Sequence, residues 1–215
     1  MTATRLPAPT RILLLIAAIL AANYYSNSLL ELEGPWMIVQ KGACVGLLAS
    51  WAGLHARTAD GWLIAAALAL GALGDVLLET HGLVIGAVAF LAGHGVACVL
   101  YLRNRAGPYW HAAAIALAVA AIAWALPADR GEAPAIALYA LGLGAMAGTA
   151  WISRFPTRIV GLGALMFVLS DLLIFARMGP LALSRVPDLL VWPLYFIGQA
   201  VIAWGVVRTL AGERR

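Results

Sequence analysis

Seven side chains that could transfer a proton or anchor a polar ligand are embedded in long apolar runs of this sequence. They are Lys41, Asp75, Glu79, His94, Asp171, Tyr195 and Gln199. Asp75 and Glu79 are four residues apart, so on a helix they share a face, as do Tyr195 and Gln199. Carboxylates in apolar surroundings serve proton transfer in enzymes and in proton-coupled transporters, so the pattern indicates acid–base chemistry or transport.

Other chemistries lack their motifs. The sequence contains no Gly-x-Ser-x-Gly, no Walker loop and no His-Glu-x-x-His. The four histidines are scattered, which argues against a three-histidine zinc site. Cys44 and Cys98 lie in different apolar runs and are interpreted as buried thiols. We therefore expect neither a metal nor an organic cofactor.

The composition indicates that lipid is the solvent of this chain. Of its 215 residues, 63% are hydrophobic and only 11% are charged, whereas soluble domains are nearer half apolar and a quarter charged. The apolar runs are unbroken rather than alternating, which favours helices over a barrel. The basic residues are scattered singly, so the net charge of +4 predicts no nucleic-acid partner.

The apolar runs predict an all-α integral membrane bundle. Eight segments are each close to the ~20 residues needed to cross a ~30 Å hydrocarbon core. Short connections rich in Gly and Pro separate them, so we expect residues 1–215 to form a single transmembrane domain. The predicted helices span residues 12–30, 35–54, 62–79, 83–102, 110–126, 135–152, 159–176 and 189–210.

Arginines are concentrated in alternate connections. One set of loops and ends holds Arg5, Arg11, Arg57, Arg103, Arg105, Arg154, Arg158, Arg208, Arg214 and Arg215, and the other set holds Arg130, Arg177 and Arg185. Because cytoplasmic loops are enriched in basic residues, both chain ends are predicted in the cytoplasm, in a multi-pass protein of the plasma (inner) membrane. A cleaved signal peptide ending near Ala22 is the alternative.

Several of the polar residues are predicted at one depth. At 1.5 Å per residue, Lys41, Asp75, Asp171 and Tyr195 lie ~6–10 Å inside the extracytoplasmic face, and His94 and Gln199 lie deeper. One intramembrane carboxylate could equally serve to join two helices through an ion pair. Several polar groups at a shared depth favour a functional cavity.

Parts of the chain suggest an internal repeat. Leu73-Gly74-Asp75 resembles Leu169-Ser170-Asp171, and Gly93-His94 resembles Gly198-Gln199. Four helices per repeat would give two parallel halves. Chance similarity between leucine-rich helices is the alternative.

The order of the polar motifs resembles that of the YhhN-like lysoplasmalogenase family. The resemblance rests on Lys41 followed by the segments 73–78 (LGDVLL), 86–94 (GAVAFLAGH), 163–171 (GALMFVLSD) and 195–199 (YFIGQ). It covers the chain from about Gln40 to Val206. The family usually has proline after the lysine, where this chain has Gly42.

The resemblance implies hydrolysis of the vinyl ether bond of a lysophospholipid substrate within the lipid bilayer, giving a fatty aldehyde and a glycerophospho-base. Asp75 and Asp171 are then expected to face each other as the proton donor and the carboxylate that stabilises the cation. Lys41 would hold a carboxylate ionised or contact the phosphate, and Glu79 would lie at the mouth. The side chains expected to orient water or the ether oxygen are His94, Tyr195 and Gln199. A lipid-binding protein or proton-coupled transporter using the same cavity is the alternative, and a structural protein without a ligand is a third reading.

Overall fold

The computed structural model describes residues 8–212, with side-chain environments from Arg11 onward, so the predicted cytoplasmic residues Arg5, Arg214 and Arg215 lie outside the described part. Eight α-helices account for most of the described chain. They are α1 (Ala8–Leu29), α2 (Pro35–His55), α3 (Ala59–His81), α4 (Leu83–Arg103), α5 (Tyr109–Ala125), α6 (Ala133–Trp151), α7 (Leu162–Arg177) and α8 (Val186–Gly212). A π-helical turn, Thr157–Gly161, leads directly into α7. The all-α class is confirmed.

Seven helical stretches within residues 8–212 are long and apolar enough to cross a membrane. They are Arg11–Leu29, Pro35–His55, Ala59–His81, Leu83–Arg103, Ala133–Trp151, Thr157–Arg177 and Val186–Gly212. The eighth helix, α5, is apolar but has only 17 residues. Large apolar side chains such as Ile19, Val84 and Leu138 are more than half exposed on these helices. The chain is therefore a multi-pass α-helical membrane protein.

Local sequence explains where the first helices end and begin. After α1 the backbone of Glu31 adopts φ 55°, and the Leu32 N–H donates to the Asn27 carbonyl at 3.1 Å, which closes the last turn. Gly34 has φ 138°, a conformation that side chains rarely adopt, and Pro35 then starts α2 with its fixed φ. Thr58 caps α3 by accepting a hydrogen bond from the Gly61 N–H at 3.3 Å.

The helices form two compact units. Unit 1 contains the described residues up to Gly93 together with those from Ala203 onward, and unit 2 contains His94–Ile202. Both boundaries fall inside helices, one in α4 and one in α8.

Small residues allow close helix packing within unit 2. In unit 2, a Cβ built on Gly148 of α6 would lie 2.6 Å from the Ala112 carbonyl oxygen of α5. In the same unit, a Cβ on Gly198 of α8 would lie 2.8 Å from the Gly163 carbonyl oxygen of α7. Such close van der Waals contacts hold helices together in lipid, where the hydrophobic effect does not drive one helix against another.

Candidate functional site

Lys41 and Glu79 form an ion pair between α2 and α3. The Lys41 Nζ lies 2.6 Å from the Glu79 Oε1, and the two side chains are 14% and 39% exposed. Gly42 permits this approach, because a Cβ at that position would lie 2.6 Å from the Cγ2 of Val76. The helix α2 continues through Gly42 without interruption, so the departure from proline leaves the lysine on a regular helix.

Asp75 lies one turn before Glu79 on α3 and is only 2% exposed. The Lys41 ammonium interacts electrostatically with Asp75 and with the phenol of Tyr24, as well as with Glu79. Tyr24, on α1, likewise interacts with both acidic residues. Unit 1 therefore assembles one cation, two carboxyl groups and a phenol from three helices.

A cavity of about 470 Å³ lies beside this cluster within unit 1. Glu79 links the two, since it pairs with Lys41 and also lines the cavity. The other lining residues come from the end of α1, the turn after it and the start of α2: Tyr24, Ser28, Glu31, Leu32, Glu33, Gly34, Met37 and Ile38. The cavity is thus acidic and amphipathic, with hydroxyl groups, carboxylates and apolar side chains on its walls.

Asp171 occupies a second polar cluster, in unit 2. The residue is 6% exposed, and its Oδ2 accepts a hydrogen bond from the Tyr139 hydroxyl at 2.8 Å. The same hydroxyl lies 3.3 Å from the Nε2 of His94, a residue that is 3% exposed. Residues from α4, α6 and α7 therefore form a continuous polar chain inside the apolar core of the unit.

Aromatic rings surround the polar side chains of His94, Tyr139 and Asp171. The ring of Phe167 lies edge-to-face against His94 and against Tyr195, with 5.1 Å between centroids in both pairs. Phe175 packs edge-to-face against Tyr139 at 5.8 Å, and Trp192 lies 5.7 Å from Tyr195. These stiff side chains fix the imidazole and phenol rings and give Asp171 largely apolar surroundings.

Tyr195 and Gln199 are held beside α7 by local features of α8. Pro193 lies inside α8, where it removes one backbone hydrogen bond. The Ser170 hydroxyl donates to the Val191 carbonyl at 2.9 Å, two residues before the proline, and so joins α7 to α8 next to Asp171. Both Tyr195 and Gln199 are buried.

The structure thus sorts the residues singled out in the sequence into two groups. Lys41, Asp75 and Glu79 come together in unit 1, whereas His94, Asp171, Tyr195 and Gln199 belong to unit 2. The expectation that Asp75 faces Asp171 stays a prediction. Among the described residues, no three His, Cys, Asp or Glu side chains are grouped so that they could hold a metal ion.

Sequence reasoning missed two residues, Tyr24 and Tyr139. A phenol inside an apolar helix could have marked each of them as a candidate. Neither was singled out, because no charged residue stands near it in the sequence. Their importance follows from partners on other helices: Lys41 for Tyr24, and Asp171 for Tyr139.

Comparison with known proteins gives one match. No curated protein and no solved structure gives a significant match to the chain. The family model of the YhhN family matches residues 36–206, a stretch that begins just before Lys41 and includes both polar clusters except for Tyr24. Because this match covers most of the 215 residues, the chain belongs to the YhhN family.

Proposed function

We propose that this protein hydrolyses the vinyl ether bond of lysoplasmalogens, releasing a fatty aldehyde and a glycerophospho-base. The observation that carries the proposal is the buried Asp171 carboxyl group, hydrogen-bonded by Tyr139 among aromatic rings, in a chain of the YhhN family. A carboxyl group in an apolar, water-poor site can transfer a proton to a carbon atom of a lipid, which bulk water does slowly.

The reaction needs two carboxyl groups in different protonation states. One gives its proton to the β-carbon of the vinyl ether, which produces an oxocarbenium cation. The other, as a carboxylate, stabilises that cation and accepts a proton from the water molecule that adds to it, as in glycoside hydrolysis. The resulting hemiacetal then collapses to the aldehyde and the free hydroxyl group of the glycerophospho-base. We assign these two roles to Asp75 and Asp171.

The remaining polar residues are assigned to substrate binding. The cavity of about 470 Å³ is the proposed place of the polar head group, with Glu79 on its wall. Lys41, which pairs with Glu79, is proposed to hold a carboxylate ionised or to contact the lipid phosphate. We assign His94, Tyr195 and Gln199 to the orientation of water or the ether oxygen. The cavity is proposed to open on the outer side of the plasma (inner) membrane, with both chain ends in the cytoplasm.

Aldehyde release from a defined lipid tests the proposal. Purified protein in detergent receives a 1-alkenyl lysophospholipid, with the 1-acyl and 1-alkyl lysophospholipids of the same head group and chain length as controls. We expect aldehyde from the alkenyl lipid alone, because only the vinyl ether has a carbon that accepts the proton. Absence of aldehyde would refute the proposal, and saturable lipid uptake into vesicles in that case would identify a transporter instead.

A further inference from the structure

We infer that Tyr139 is a positioning residue that fixes the Asp171 carboxyl group in its reactive orientation and leaves Oδ1 as the oxygen that exchanges the proton. This inference rests on the proposed function and adds to it a residue outside the seven singled out in the sequence. It starts from one contact, the 2.8 Å hydrogen bond from the Tyr139 hydroxyl to the Asp171 Oδ2.

The hydrogen bonds that link His94, Tyr139 and Asp171 have a direction. A phenol has one proton to donate, and here it is donated to Asp171. The His94 Nε2, 3.3 Å from the same phenol oxygen, must therefore be the protonated ring nitrogen and act as the donor. Hydrogen bonds are therefore donated from His94 to Tyr139 and from Tyr139 to Asp171, so His94 acts on the carboxyl group through the phenol.

The phenol is itself held in place on two sides. Phe175 lies edge-to-face against its ring at 5.8 Å, and the His94 imidazole lies edge-to-face at the same centroid distance. A fixed donor on Oδ2 prevents rotation of the carboxyl group about its last bond. The oxygen that Tyr139 does not engage, Oδ1, then keeps one orientation for proton transfer.

Removing the single hydroxyl tests this role. With Tyr139→Phe we expect kcat on the alkenyl lipid to fall ~10- to 100-fold with little change in KM, since a misplacement of about 1 Å can cost ~100-fold. The matched control is Tyr101→Phe. Tyr101 is a fully buried tyrosine of α4 in the same unit, and its hydroxyl makes no hydrogen bond with the described residues. We expect this control to retain wild-type kcat.

The role of His94 is tested in the same background. His94→Ala alone should lower kcat, and in a protein that already carries Tyr139→Phe it should lower kcat by a smaller factor, because the part of its effect that passes through the phenol hydroxyl is gone. Additive losses in the double variant would show that His94 acts independently of Tyr139 and would overturn that part of the inference.

An infrared measurement tests the contact without relying on activity. Protein labelled with ¹³C at aspartate carboxyl groups gives a band that Asp171→Asn removes, and this band should shift in Tyr139→Phe and stay in place in Tyr101→Phe. The inference would be overturned if the band were unchanged in Tyr139→Phe. It would also be overturned if the wild-type protein were active and Tyr139→Phe had the same kcat. If the wild-type protein released no aldehyde but the band still shifted in Tyr139→Phe, the proposed function would be refuted while the contact was retained.

Discussion

Asp75 and Asp171 have different chemical surroundings, although both are almost inaccessible to solvent. Asp75 interacts with the ammonium of Lys41, whereas Asp171 accepts a hydrogen bond from the phenol of Tyr139. The proposed reaction needs one carboxyl group as proton donor and one as carboxylate. Different surroundings are the means by which enzymes give two carboxyl groups different tasks.

Asparagine variants test these two assignments. Asp75→Asn and Asp171→Asn should each lower the rate of aldehyde release at least ~100-fold, the scale expected for loss of general acid catalysis. Asparagine keeps the shape of the side chain, so both variants should give wild-type gel-filtration profiles in detergent. Asp188→Asn is the control, because that carboxylate is half exposed and pairs with Arg177. If either buried variant kept near-wild-type turnover, that aspartate would be a packing residue and the paired-carboxylate mechanism would be wrong.

The Lys41–Glu79 ion pair makes a prediction about stability. Lys41→Met removes the ammonium and leaves two carboxyl groups of α3 next to each other, so we expect a loss of ~1–3 kcal/mol, the cost of removing a charged hydrogen-bond partner. Heating in detergent, followed by gel filtration, measures the loss as a lower midpoint temperature. The double variant Lys41→Met/Glu79→Gln should lose less than the sum of the two single variants, because the second change removes one of the crowded charges. Additive losses would mean that the pair contributes no coupling energy.

The sequence singled out the buried ionisable residues of the two polar clusters but not the phenols that contact them. Charged residues in apolar runs are conspicuous because burying a charge is costly. Tyr139 was missed because a phenol is common at helix positions of every depth, and only the rotation of α6 against α7 brings it to Asp171. Periodicity within one helix does not determine that rotation.

At the scale of the helices, agreement with the sequence is close. The second helix was predicted over 35–54 and runs Pro35–His55, and the fifth was predicted over 110–126 and runs Tyr109–Ala125. Long apolar runs bounded by Gly and Pro make this possible. The π-helical turn Thr157–Gly161 was not predicted, because a widened turn cannot be recognised in a segment whose residues are mostly apolar on every face.

The helix pair α5 and α6 shows what small residues contribute in lipid. A Cβ on Gly144 would lie 2.8 Å from the Cα of Ala116, and a Cβ on Gly148 would lie 2.7 Å from the Cα of Ala112. The glycines are one turn apart on α6 and the alanines are one turn apart on α5, so the two backbones touch along a seam.

A single methyl group in this seam should therefore be costly. Gly148→Ala should destabilise the protein by ~1–3 kcal/mol, because its new Cβ meets backbone atoms that cannot rotate away. Gly95→Ala is the matched control, since a Cβ on that glycine of α4 would meet no atom of the described residues within 4 Å beyond its chain neighbours and its own helix backbone. The midpoint temperature in detergent should fall for Gly148→Ala and stay unchanged or rise for Gly95→Ala. Equal midpoints for the two variants would contradict the seam as a source of stability.

At the scale of the whole molecule, the two units do not coincide with two runs of four helices. Unit 2 begins at His94 and ends at Ile202, so α4 and α8 each contribute to both units. The sequence pattern suggested parallel halves from local similarity around Asp75 and Asp171. Those two residues do lie in different units, and the internal repeat stays a hypothesis.

The number of membrane crossings depends on α5. Its 17 residues extend about 26 Å at ~1.5 Å per residue, slightly less than a ~30 Å hydrocarbon core. The seam pairs Ala112 with Gly148 and Ala116 with Gly144, which makes α5 antiparallel to α6. Extended to the helix ends, this register places α5 alongside nearly the whole of α6, which is long enough to span. We therefore expect α5 to cross with α6 and the chain to cross eight times.

Reporter fusions at three connections test that count. With eight crossings and a cytoplasmic amino terminus, fusions after Arg105, Glu132 and Arg158 should read cytoplasmic, external and cytoplasmic. If α5 failed to cross, the last two readings would be exchanged, because every later helix would reverse. Fusions after Arg57 and His81 are the control, since α2 and α3 both satisfy the length and hydropathy criteria for a span. They should read cytoplasmic and external, and a reversal of all five readings would retain eight crossings while placing the cavity beside Glu79 on the cytoplasmic side.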